Sequence, residues 1–236
     1  MNTFRELLIE IPAAAEQRRT TPIREQVQRE AVSPAVSVHD EQIHALVQQL
    51  FFRPGSRPVR HVGLVPVEAS IAIAKLCLEV AGALAEEDRY DVGLIDAHSD
   101  SVPLQTQLQI PPPTRGEAAW PIAPRLWMVP RQSWLPDASG HRITDQNLSR
   151  LREITTEFDF SILWCAPVSW LTASIGQACD GLVLVLTANK TRRLVAAQIK
   201  DQLSKARVPL LGTVLAATPF SRAAGPVPES VKSWAT

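Results

Sequence analysis

At 236 residues, with apolar side chains making up 45% and charged ones 20%, the sequence has the composition of a folded globular protein rather than a disordered one. That length suits one α/β domain with a full core, or one domain with extended ends. Lys plus Arg and Asp plus Glu both number 24, and the basic residues are dispersed instead of gathered in a stripe, which argues against a nucleic-acid partner.

The first 38 residues are polar and are broken by Pro12, Pro22 and Pro34, so they read as a flexible arm with at most a short amphipathic helix around Phe4, Leu7 and Leu8. The opening MNTFRELLIEIP lacks the apolar centre of a secretory signal. From Asp40, a candidate N-cap, Ile43, Leu46, Val47 and Leu50 recur at helical spacing until RPGSRP ends the helix. The pattern then alternates: HVGLVPV is a short apolar run, ASIAIAKLCLEVAGALAEE is helical and YDVGLIDA is again a buried-strand pattern, together a βαβ unit. Lys75 and Glu79 interrupt the most apolar stretch well short of the roughly 20 residues a membrane-spanning helix requires.

Residues 101–142 differ in kind. They hold a run of prolines at 111–113, and Trp120, Trp127 and Trp134 recur at a spacing that cannot be helical because Pro121, Pro124 and Pro130 intervene. The segment reads as mostly loop, with RLWMV as a strand inside it; its tryptophans either form a recognition surface or, the favoured reading, pack back on the sheet. Next come a helix capped by Thr144 (TDQNLSRLREITTEF), a strand (DFSILWCA), a helix (VSWLTASIGQA), a strand (GLVLVLTA), a helix capped by Thr191 (TRRLVAAQIKDQLSKA) and a last strand (VPLLGTVLAA). Strands that are apolar throughout are covered by helices on both faces, so the fold class is α/β with a mostly parallel central sheet in three layers. The cysteines, Cys77, Cys165 and Cys179, form no CxxC pair and lie in apolar stretches, as reduced thiols in a cytoplasmic protein do.

Taken in order, HVGLVPVEASIAIAKLCLEVAGALAE, DVGLIDAHSD, RLWMVP, FDFSILWCAPVS and CDGLVLVLTANKTRRLVAAQIKDQLSKARVPLLGTVLAA resemble the cytoplasmic ATPase domain of the bacterial tyrosine kinases that regulate capsular and exopolysaccharide synthesis. That family belongs with the septum-site and plasmid-partition ATPases. The lead-in helix EQIHALVQQLFF matches as well. The resemblance implies a three-layer P-loop NTPase-like domain over residues 39–222, followed by a tail at 223–236.

At the functional positions the match fails. A phosphate loop needs glycines whose N–H groups close on phosphate, a lysine, and a hydroxyl for Mg²⁺. Here Ser70 and Ala72 stand at glycine positions, Ile73 at the lysine and Ala74 at the hydroxyl, with Glu68 where the partition ATPases carry an extra lysine. Ile73 is expected to face the space of the triphosphate, while Lys75 lies about 200° round the helix and reads as a surface residue. Asp96 matches the acid that positions Mg²⁺ or an attacking nucleophile. Trp164 replaces a metal-binding aspartate and is expected at the mouth of the former cleft, filling it, and Ala216 replaces an adenine-reading asparagine. Tyr90 is the single tyrosine, so the tail AAGPVPESVKSWAT carries none of the family's autophosphorylation cluster.

The resemblance therefore implies a non-catalytic pseudo-ATPase, or pseudokinase, with no cofactor. It would act as a cytoplasmic scaffold or regulator of exopolysaccharide or capsule export, held at the inner face of the membrane through a partner. That partner would be a membrane polysaccharide co-polymerase or an active homologous kinase, with self-association also open. Two alternatives remain: an active kinase or ATPase with unorthodox residues, and a metal-dependent enzyme in which Asp96, His98 and Asp100 share one face of a continued strand.

Overall fold

The computed structural model describes residues 10–11, 38–54, 57–68, 73–87, 89–98, 102–113, 116–136, 143–188 and 191–216. The apolar runs become strands: β2 (His61–Pro66), β3 (Val92–Ala97), β6 (Phe160–Cys165), β7 (Gly181–Thr187) and β8 (Leu210–Ala216). All pair in parallel with their neighbours. Two short strands, β4 (Trp120–Ala123) and β5 (Leu126–Val129), form a hairpin in which β5 runs parallel to β3 and β4 antiparallel to β5. With β1 (Glu10–Ile11) pairing parallel to the end of β8, the described residues build an eight-stranded sheet in the order β1-β8-β7-β2-β6-β3-β5-β4.

Helices cover both faces, which is why the central strands carry no alternation of apolar and polar residues. On one face α1 (Val38–Phe51) and α2 (Ala74–Ala85) pack through Leu46, Leu50, Leu76 and Leu84 onto Val62, Leu64, Leu94 and Ile162. On the other, α4 (Asp145–Thr156), α5 (Trp170–Gly176) and α6 (Arg193–Lys205) pack through Leu151, Ile175 and Leu203 onto Val65, Ile95, Leu163 and Leu184. Within β2 the period of the pleat decides the division, Val62 and Leu64 going to one layer and Val65 to the other. The expected three-layer α/β architecture is the one observed.

Several local expectations are corrected. Helix α1 begins at Val38, so Asp40 lies in its first turn instead of capping it; an acid there still complements the positive end of the helix. Thr191 does not cap α6: its hydroxyl accepts from the Thr187 N–H at 3.1 Å, and α6 starts behind Arg192 without a side-chain cap. Thr144 does cap α4, in a reciprocal box with Asn147. The proline- and tryptophan-rich segment is more ordered than a loop. It contains α3 (Leu104–Gln107), the β4–β5 hairpin and a 3-10 turn at Arg131–Ser133, with Trp120 and Trp134 buried. Pro121 is tolerated in β4 because that strand is the sheet edge. Glu10–Ile11 fall within the segment expected as an arm yet add to the sheet; the helix expected around Phe4, Leu7 and Leu8 lies outside the described residues.

Candidate functional site

Ligands of open parallel sheets bind beyond the carboxyl ends of the strands, and here β2, β6 and β3 end side by side, with Leu64 and Asp96 both in register with Trp164. After β2, the Val67 N–H donates to the Val185 carbonyl at 3.0 Å and carries the chain one residue further along β7. Glu68 is half-buried at the end of this turn. Ser70 and Ala72 lie outside the described residues.

Ile73 ends the loop and caps α2 with no side-chain hydrogen bond; its carbonyl accepts from the Cys77 N–H at 3.0 Å. Its side chain is expected from the sequence to face the space of the triphosphate. It is 1% exposed and belongs to the core layer beneath α1 and α2, because a β-branched apolar group is stabilised by leaving water. Ala74 is buried beside it. Lys75 points outward, as expected of a surface lysine, and pairs with Glu79 at 3.5 Å.

Asp96 is fully buried near the end of β3. One carboxylate oxygen accepts from the His98 N–H at 3.1 Å and the other from the Leu104 N–H at 2.9 Å, the first residue of α3. Burial pushes its carboxyl above the usual aspartate range, while the Leu104 and His98 N–H groups and then the Arg131 charge pull it back. Its main-chain carbonyl accepts from the Trp134 indole at 2.8 Å. Arg131 in turn donates to the His98 carbonyl at 2.7 Å. The Asp96 carboxylate is thus the tie that folds the connection between β3 and α3.

Trp164, expected at the mouth of the former cleft and filling it, belongs to the core. It is 4% exposed and shares a layer with Ile73 and Leu64, and its ring lies 4.7 Å from that of His98, tilted by 34°. The face that Asp96, His98 and Asp100 would share needs a longer strand, but β3 stops at Ala97. Asp100 lies outside the described residues, and among those described no three His, Cys, Asp or Glu side chains gather to hold a metal. Ala216 is buried at the last position of β8, opposite Thr187. Sequence reasoning singled out His98 and Trp134 but not as partners of the Asp96 main chain and carboxylate, and it missed Arg131 and Leu104. The strand expected at RLWMV and the recurrence of tryptophan hinted that the segment returns to the sheet.

No family model and no curated protein matches the sequence. Solved structures do. The BceF tyrosine kinase domain is 19% identical, the match covering 77% of this chain and 78% of that one with a TM-score of 0.58. The kinase domain of the Escherichia coli tyrosine kinase ETK is 15% identical over 84% of each chain, also with a TM-score of 0.58. The chain has a P-loop ATPase fold of the bacterial tyrosine kinase and partition type. A putative plasmid partition protein from Borrelia burgdorferi, solved with AMPPNP bound, extends the likeness at 12% identity over 67% of this chain and 75% of that one, with a TM-score of 0.53. In this P-loop ATPase fold the carboxyl ends of β2, β3 and β6 are the strand ends described above.

Proposed function

We propose that this chain is a pseudo-ATPase that works through protein contacts, a scaffold or regulator of exopolysaccharide or capsule assembly. The observation that carries the reading is the chemistry at the strand ends. Where a magnesium nucleotide needs a cation, a hydroxyl and an acid, the chain supplies the buried apolar side chains of Ile73, Ala74 and Trp164. The carboxylate that does remain, Asp96, has each oxygen taken by a main-chain N–H. These residues do not fit a triphosphate with its metal: an indole cannot ligate Mg²⁺, and an isoleucine cannot neutralise phosphate.

The link to polysaccharide rests on the order of motifs and on the fold shared with tyrosine kinase domains, so it is an analogy at the level of fold. On this reading the ATPase-like domain spans residues 39–222 and its partner is a membrane co-polymerase or an active homologous kinase. The chain then sits in the cytoplasm. Among the described residues no helix is long and apolar enough to cross a membrane.

The test is isothermal titration of the full chain with Mg-ATP and Mg-ADP. No heat of binding is expected beyond dilution. A micromolar dissociation constant for either nucleotide overturns the pseudo-ATPase reading.

A further inference from the structure

The large hydrophobic side chains that the described residues leave exposed are Val102, Trp170 and Leu194. Each follows the carboxyl end of a parallel strand, β3, β6 and β7 respectively. All therefore stand at one edge of the molecule. Trp170 and Leu194 are closer kin than that: they open α5 and α6, two helices whose inward residues Leu171, Ile175, Ile199 and Leu203 share one core layer. Val102 leads into α3, whose Leu104 packs in the opposite layer.

Trp170 is held outward by local structure. Ser169 caps α5, its hydroxyl accepting from the Thr172 N–H at 3.3 Å, and Leu171 turns inward, so the first helical side chain projects away from the body. It is 61% exposed, and Leu194 is 77% exposed. Immediately before Leu194 come Arg192 and Arg193, both exposed, in the run Lys-Thr-Arg-Arg-Leu at 190–194. An indole and an aliphatic tip projecting at one edge from the starts of two helices of the same layer, with guanidinium groups beside the aliphatic tip, is the composition by which proteins seat on an anionic lipid surface. The apolar tips enter the headgroup boundary and the arginines meet phosphates.

We infer that the α5–α6 edge, through Trp170, Leu194, Arg192 and Arg193, is a docking surface for an anionic membrane. This contact is direct and requires neither a nucleotide nor the polysaccharide partner, so it stands apart from the pseudo-ATPase reading. The charge argues for lipid over a protein occupant: the arginines complement a surface of one sign, and the tips project instead of lining a recess.

Flotation of the full chain with phosphatidylglycerol-containing vesicles and with pure phosphatidylcholine vesicles decides the matter. The expected result is binding to the anionic vesicles that weakens as salt is raised and is much lower on neutral ones. Trp170→Ala/Leu194→Ala should reduce partitioning at least about tenfold, and Arg192→Glu/Arg193→Glu should remove the preference for anionic lipid. Because all four side chains are exposed, melting curves of both variants should match the wild type, so lost binding reports the surface and not the fold. The inference is overturned if the wild type stays with the unbound fraction on anionic vesicles. It is equally overturned if neither variant changes binding. A third contrary result is a wild-type dimer in ultracentrifugation that Trp170→Ala/Leu194→Ala makes monomeric, without any vesicle binding, since the edge would then join two copies of the chain.

Discussion

Asp96 keeps a titratable carboxyl where little water reaches, and its pH behaviour follows. Burial raises its folded pKa above the unfolded one, so the folded state holds the proton more readily. Its contribution to stability is then largest below the ordinary aspartate range, near 4, and declines as pH rises through the raised folded value. Asp96→Asn removes the titration, and the difference in melting temperature between wild type and variant should change with that sign as the pH is raised from about 4. Asp96→Ala is a different experiment, because it strands the His98 and Leu104 N–H groups without an acceptor. It should cost about 1–3 kcal/mol in denaturant unfolding. Trp164→Ala should cost about 3–5 kcal/mol, the range for emptying a large buried site. That Asp96 and Trp164 stand at strand ends was legible from motif order. What the carboxyl group binds was not, since its donors lie beyond the strand in a connection without periodicity, and the indole on its carbonyl comes from 38 residues away.

At the level of elements, periodicity identified most helices and central strands, while chain ends and edges escaped it. The cap of α4 was readable because Thr144 precedes a clear helical period and has Asn147 in the reciprocal position; Thr144→Ala should lower stability by about 1 kcal/mol. Thr191 offered the same residue type before α6, but the end of β7 competes for its hydroxyl, a tertiary claim that spacing does not reveal. Strand β4 escaped because proline and short length argue against a strand unless it is an edge. Two glycines show how element context sets the sign of one substitution. Gly82 lies inside α2 with open space where a Cβ would go, so Gly82→Ala should stabilise by about 0.5–1 kcal/mol. A Cβ at Gly93 on β3 would come within 2.6 Å of the Phe158 ring, and Gly93→Ala should destabilise by about 1–3 kcal/mol. Paired thermal melts read both.

For the whole molecule, the sheet and the site are not separable, because the apolar layer beneath α1 and α2 extends up to the strand ends that would face a nucleotide. Ile73 and Trp164 are members of that layer, so exchanging them for the lysine and aspartate of active P-loop ATPases alters the core as well as the site. The double variant Ile73→Lys/Trp164→Asp places an ammonium and a carboxylate among buried leucines and valines. Even a well-formed pair there does not recover the cost of desolvating both charges, and the lost indole leaves a cavity. The variant should be less stable by more than the roughly 3–5 kcal/mol of the cavity alone, a drop in melting temperature of at least about 10 °C for a chain of this size. It should still show no heat with Mg-ATP, since Ser70 and Ala72 remain where the phosphate loop needs glycine, and Asp96 remains tied to His98 and Leu104. Melting at the wild-type temperature together with micromolar ATP binding would show the opposite: that the apolar pair alone excludes nucleotide and that the remaining scaffold of the site is intact.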